Sequence, residues 1–309
     1  MAETLIAKTV QAPPRRAARK PIGWLRVTLA FLPLAAILAI AIFAPLIAPY
    51  DPVTTVAASR LPPSADHLFG TDAVGMDVFS RTIYGARVAV QFGVIVALCS
   101  TIGGILIGTF IGLSESSRGV LGWIGRLINQ ISDYLIAIPS IILGIVVVGI
   151  MGSSDFALIV AITLCLIQAT IKLTRAEVLR VRREAYLEAA KLAGESPLRS
   201  ALVHVVPNSI GPAMRNMPLV FGNCVIILAS LGFIGVGVKA PTPEWGYMIS
   251  SALSSLMLGR WWPAIFPSIF VALSVLAIAY SSRAIPQVWP YLAANVKKRF
   301  RTERKNGAS

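Results

Sequence analysis

Long apolar blocks separated by short polar segments organise this chain, with neither strand-like alternation nor a single amphipathic stripe dominating. Blocks of about 20 apolar residues match the thickness of a bilayer's hydrocarbon core. Six such blocks can be laid along the sequence, at about 27–48, 88–113, 127–150, 156–173, 214–236 and 262–285. The pattern predicts an all-α membrane protein with about six transmembrane helices. Prolines and glycines flank or interrupt the last two blocks, and a long polar segment rich in Asp, Gly and Pro, about 49–87, separates the first two.

Composition agrees with a membrane environment. Of 309 residues, 56% are hydrophobic and only 14% charged, against about 25% charged in a soluble domain. The net charge of +14 invites a nucleic-acid reading, but the distribution opposes it. Basic residues cluster at Lys8–Arg26, Lys172–Arg199 and Arg283–Lys305, each beside an apolar block, as the positive-inside rule expects of cytoplasmic segments. An even number of spans puts both termini on one side, and both are basic, so both are expected in the cytoplasm with the 172–212 loop. The 49–87 and 237–261 loops then fall outside. They carry Arg60, Arg81, Arg87, Lys239 and Arg260 against Asp51, Asp66, Asp72, Asp77 and Glu244. The first apolar block is longer than the core of a secretory signal, and Pro45 and Pro49 follow Ala44 and Ala48, so a retained anchor is expected. The chain divides into a cytoplasmic tail (1–26), a first helix with its external loop (27–87), a core (88–285) holding a cytoplasmic loop at about 180–207, and a basic tail (286–309).

Candidate chemistry within the spans is sparse. Cys99, Cys165 and Cys224 all lie in apolar blocks without metal-pair spacing and read as small apolar fillers. His67 and His204 are far apart, so no metal site and no catalytic residue is expected. Gly104, Gly108 and Gly112 recur every four residues in the second block. In lipid, small residues that let backbones touch drive helix packing, which predicts a tight helix contact there. Asp133 is expected near the start of the third span, in an interfacial role favoured by the helix dipole. Trp24, Trp245, Trp261, Trp262 and Trp289 sit near span ends and read as aromatic-belt anchors, with a substrate-stacking role for Trp245 left open.

The stretch from Arg182 to Gly211 is the cytoplasmic segment built for a task. Its first half, about Arg183–Ala193, is made of strong helix formers. Gly194 supplies a residue for a left-handed cap. Ser196 and Pro197 read as the N-cap and first position of a second short helix, which Pro207 is expected to end. Ala185, Ala189 and Ala190 keep one face of the first helix free of bulk, and Glu184 and Glu188 lie one turn apart. A small-faced helix flanked by charge suits docking into another protein's cleft; the plainer alternative is a surface helix between spans.

Glu188-Ala189-Ala190, Gly194 four residues later and Val206-Pro207 resemble the EAA signature of permease subunits of ATP-binding-cassette importers. Further segments resemble the dipeptide/oligopeptide/nickel type, in its C-type permease: His67-Leu68-Phe69-Gly70-Thr71-Asp72, Asp77-Val78-Phe79-Ser80-Arg81, Gly85-Ala86-Arg87, Ala137-Ile138-Pro139-Ser140, His204-Val205-Val206-Pro207-Asn208, Leu231 to Gly237, and Pro243-Glu244-Trp245-Gly246. Met76, Lys172 and the Ser281–Pro286 stretch depart from the family's usual pattern. The resemblance implies an importer-type permease bundle with EAA coupling helices in the bacterial inner membrane. It also implies a heterodimer with a paralogous second permease, two partner ATPase subunits carrying ATP and Mg, and an extracytoplasmic binding protein that delivers the substrate. Glu184, Glu188, Ala189, Ala190 and Gly194 become the ATPase-coupling residues. No Gly-Lys pair occurs, hence no phosphate-binding loop, and the chain itself is expected to be no enzyme and to bind no cofactor. The cargo is expected to be a dipeptide or oligopeptide; a glutathione-like peptide, opine or chelated nickel fits the same architecture. An ion-coupled carrier would need paired intramembrane carboxylates, and an intramembrane protease would need a Ser–His or paired-Asp constellation; neither is visible.

The 49–87 segment is long for a connector and ends in the charged, partly apolar stretch Asp77–Arg87. With the 237–261 loop it is the expected contact for the binding protein, through Asp66, Asp72, Glu244 and Trp245. Charges there would tune encounter and a buried aromatic would carry affinity.

Overall fold

The computed structural model describes residues 24–115, 117–285 and 288, so most of both basic tails, with Trp289, lies outside the described residues. Among the described residues the only β-pairing is an isolated bridge between Thr71 and Asp77. Five helices among the described residues are long and apolar enough to span a bilayer: α1 (Trp24–Ile47), α2 (Val78–Ser114), α5 (Asp155–Val181), α9 (Gly211–Ile234) and α12 (Trp262–Ser282). The remaining apolar block folds as a bent pair, α3 (Val120–Ala137) and α4 (Ser140–Met151), which meet at 106° and make a broken span or a re-entrant loop. The bend has a local cause. Ile138 precedes Pro139 and is extended (φ −80°, ψ 127°), the conformation that a following proline ring imposes. Alone, α4 rises only about 18 Å, short of a bilayer core of about 30 Å.

The second helix begins ten residues before its apolar block. Asp77 caps it, accepting from Ser80 N through its side chain. The polar residues that hide this start from a hydropathy reading find partners within the fold, although the buried Nε of Arg81 has none within hydrogen-bond distance. Tyr50 N donates to Ser80 Oγ (3.2 Å), Arg81 Nη1 donates to Pro52 O (2.7 Å), and Thr82 Oγ1 donates to Val78 O (2.7 Å). The stretch Val78–Arg87, expected as loop, is therefore helix, and α2 extends over about 55 Å.

The core joins α2, α4, α5 and α9 through Val96, Val148, Leu158, Ile162, Cys224, Leu228 and Leu231, all buried. The glycine series on α2 faces α5. A Cβ on Gly104 would lie 2.6 Å from Thr170, one on Gly108 2.6 Å from the Ile171 carbonyl, and one on Gly112 2.6 Å from Val178. Asp133 is not at a helix start. It lies in the last turns of α3, where the helix dipole disfavours a carboxylate, and it is held by Lys172 Nζ of α5 (3.0 Å) and Asn129 Nδ2 (3.1 Å). The preceding residue, Ser132, donates through Oγ to the buried Gln168, one turn from Lys172 on the same neighbour.

Candidate functional site

Two surfaces at opposite ends of the bundle carry the sequence-predicted residues. The first is the hairpin after α5. Its base is fastened to the end of α2. Arg182 Nη1 donates to the Gly112 carbonyl (2.7 Å), and Arg175 grips Glu115 through two bonds of 2.9 and 2.7 Å. Glu184 accepts from Arg180 Nη1 (2.8 Å), with Glu177 on the other side of the same guanidinium. Helix α6 (Ala185–Leu192) follows, and Leu187 anchors it among Val178, Val181 and Val205. Glu188 is exposed and makes no ion pair among the described residues. Ala190 is half-buried.

Gly194 closes α6 at φ +79° with open space around it, and Glu195 N reaches back to Ala190 O (3.1 Å). Only glycine takes this left-handed conformation without strain. Ser196 then caps α7 (Pro197–Ser200), accepting from Arg199 N, and Pro197 sits in its first turn. Glu195 is held by His204 Nε2 (3.0 Å) and Arg199 Nε (3.3 Å). Pro207 does not end this half. A π-turn, Ala201–Val205, precedes it and the chain stays helical through α8 (Val206–Ser209). The wider turn relieves the clash between a proline ring and the carbonyl one turn back. The hairpin also exposes Leu192 (89%), Leu198 (71%) and Leu202 (60%). These large apolar side chains lie exposed on an otherwise charged hairpin. The sequence reading missed them; the signal was leucines flanking a capping glycine in an otherwise charged stretch.

The second surface is the 48–77 segment with the 235–261 return. The segment is tied down throughout. His67 Nδ1 meets Asp77 Oδ1 (2.9 Å) beneath the ring of Tyr50, Trp262 Nε1 donates to Thr71 O (3.2 Å), and Phe69 stacks on Phe266 at 3.9 Å. Asp72 is half-buried and holds a turn, accepting from Val74 N and Met76 N at 2.9 Å, with Arg81 Nε 3.7 Å away. Asp66 is exposed.

Glu244 and Trp245, expected at a docking surface, are inside the fold. Trp245 is 2% exposed, its Nε1 donates to Thr82 O (2.9 Å), and its ring covers Gly85. It is neither an interfacial anchor nor free to stack on a ligand. Glu244 caps α10 (Trp245–Ser251), accepting from Gly246 N and Tyr247 N at 2.8 Å each, and packs on Gly232. The outward reading failed because the partners lie far away in sequence: α2 supplies the seat for the indole, and Gly232 of α9 leaves room for the carboxyl.

Burial pushes the Glu244 carboxyl up to about 7 from 4.5, against the pull of its two backbone donors. A raised folded-state value means the folded chain holds a proton that the unfolded chain has released. Stability is then full below about pH 4.5 and falls as pH rises through about 7, by a total of about 3 kcal/mol. Thermal unfolding of the purified subunit in detergent should show that loss between pH 5 and 8, and Glu244→Gln should flatten it. An unchanged pH profile in the variant would assign the dependence elsewhere.

Comparison with known proteins places this geometry. Residues 85–287 match the family of binding-protein-dependent transport system inner membrane components. The chain is 38% identical over 245 residues to the di/tripeptide transport system permease protein DppC of Pseudomonas aeruginosa, covering 77% of this chain and 78% of that one. It is 36% identical to the dipeptide transport system permease protein DppC of Escherichia coli K12 (78% and 80% covered), and 35% identical to the glutathione transport system permease protein GsiD of Pectobacterium atrosepticum (78% and 78%). The chain belongs to this family: it is a multi-pass inner-membrane permease subunit of an ATP-binding-cassette importer. Its task is transport, not catalysis, and its partners are ATPase subunits and a substrate-binding protein.

Proposed function

We propose that this chain forms, with a paralogous second permease, the membrane passage of an importer for short peptides. The observation that carries the cargo is the resemblance to permeases named for dipeptides and di/tripeptides over more than three quarters of the chain. A relative named for glutathione, itself a tripeptide, keeps that cargo as the second reading. ATP and Mg act on the partner ATPases. The hairpin of α6 and α7 receives their motion, with Glu188 setting register and Gly194 setting the angle between the two helices. The Arg182 and Arg175 clamps favour movement of α2 and α5 together with the hairpin. Substrate drives the cycle only through its different affinity for the inward- and outward-facing states.

Two measurements test this reading. Cells that depend on this subunit should take up a labelled dipeptide, and excess unlabelled dipeptide should compete better than glutathione. Competition by glutathione alone would transfer the assignment to the second reading. The orientation proposed has both termini and the hairpin in the cytoplasm and residues 48–77 outside. In sealed cells an impermeant thiol reagent should label Asp66→Cys and spare Glu188→Cys, in a background without the native cysteines. Labelling of the hairpin from outside would reverse the topology.

A further inference from the structure

On α2, Arg87 and Gln91 lie one turn apart, both exposed, and neither has a partner among the described residues. Their depth follows from the neighbouring helix. Tyr50, just past the end of α1, bonds Ser80, so that end of α1 is level with Ser80. Arg87 is seven residues further along α2, about 10 Å deeper, and Val94 about 10 Å deeper again. The apolar length of α1, Val27–Ile47, rises about 30 Å, the thickness of the hydrocarbon core. Arg87 therefore starts about a third of the way into the hydrocarbon, and Val94 lies past its middle. A bare guanidinium there is costly unless it finds an anion or reaches the interface. Side chains on a helix lean toward its N-terminus, which for α2 is the nearer membrane surface, so the long stem of Arg87 carries its head toward the phosphate layer.

Directly below, an open groove runs between α1, α2, α9 and α12. Leu34, Leu38, Val94, Ala97, Phe221 and Ile278 line it, and no polar side chain contributes. Seven residues make nearly two whole turns, so Arg87 stands above Val94 on one line of the helix. One cation at the depth where a headgroup can be reached, over a wholly apolar trench at mid-bilayer, is complementary to an amphiphile. A path for a peptide would need polar groups at the level of Val94.

We propose that Arg87 and this groove form a phospholipid site, with Arg87 and Gln91 holding the phosphate and an acyl chain filling the trench. In the orientation proposed above, on which the choice of leaflet rests, the lipid comes from the extracytoplasmic leaflet. The site wedges an acyl chain between α1 and the α2–α9 pair and fixes the position of the first helix against the core.

The test uses the assembled transporter in its own membrane, with a photoreactive benzoylphenylalanine in place of Leu38 and phospholipids labelled by growth on radioactive phosphate. Irradiation should attach labelled lipid to this subunit. Arg87→Gln should lower the label about tenfold, the size of one charge-assisted hydrogen bond, while Arg87→Lys should keep most of it. Val94→Trp, which fills the trench and retains the cation, should also abolish the label, so the site is tested even if Arg87→Gln fails to assemble. A crosslink to a second permease, no lipid label, or label indifferent to both Arg87→Gln and Val94→Trp overturns the proposal. Peptide uptake is measured in the same cells, so an unlabelled subunit in cells that still import refutes the lipid site and leaves the transport reading standing.

Discussion

Gly108→Leu is expected to leave little or no assembled transporter in the membrane. The α2–α5 contact is the most extensive helix pairing in the fold, and it is a backbone approach. A Cβ on Gly108 would lie 2.6 Å from the Ile171 carbonyl and 2.8 Å from Thr174. The nearest obstruction is backbone, which cannot turn aside as a flexible side chain can. One added methylene in a filled interior costs roughly 1–3 kcal/mol, and leucine adds four carbons. In lipid no hydrophobic force presses the separated helices back together. The damage should also reach the cytoplasmic end, because Arg182 and Arg175 of the same pair hold the hairpin. Gly149→Leu is the matched control: it lies on α4 with nothing within 4 Å. Detergent-extracted complex, measured by co-purification and by unfolding temperature, should be lost in the first variant and retained in the second. Equal yields would show that the glycine series is only compositional.

What could be read in the sequence was whatever depends on local spacing. The apolar blocks locate the five spanning helices and the bent pair of α3 and α4. The four-residue repeat of glycines identifies a packing face, and Ser196-Pro197 after Gly194 marks the joint of the hairpin. What could not be read depends on partners far away in the chain. Ser80 and Arg81 look like loop residues until the backbone of residues 50–52 supplies their bonds. Trp245 looks like an interfacial tryptophan until Thr82, 163 residues away, accepts its N–H. Asp133 was misplaced for a different reason. Its block has the length of a straight span, and the 106° bend at Pro139 moves it from a helix start to a helix end. Pro207 shows the same weakness at shorter range, since a π-turn lets the helix continue past a residue that usually stops one.

Glu188→Lys and Gly194→Val are expected to abolish uptake while leaving the transporter assembled, and their value lies in that separation. Glu188 is exposed and forms no ion pair among the described residues, so reversing its charge costs this chain only its place in the first turn of α6, about 0.3–1 kcal/mol. An effect large enough to abolish uptake must then come from a partner. Opposed like charges at a docking contact cost several kcal/mol, enough to reduce coupling by more than about tenfold. Gly194 acts through geometry. At φ +79° with open space around it, a valine meets no clash but must leave the left-handed region, which disfavours L-residues by about 1–2 kcal/mol. The turn between α6 and α7 then reopens, and Leu192 and Leu198 lose their common presentation. Leu187, Arg182 and the Glu195–His204 bond should keep the base of the hairpin folded. Both variants should therefore insert normally, co-purify with the second permease, and fail in ATPase stimulation by the loaded binding protein. Leu192→Ser with Leu198→Ser should weaken ATPase co-purification through the apolar part of the same contact. Normal uptake in both Glu188→Lys and Gly194→Val would remove the hairpin from the coupling path, and the clamp of Arg175 and Arg182 on α2 would then be a feature of packing alone.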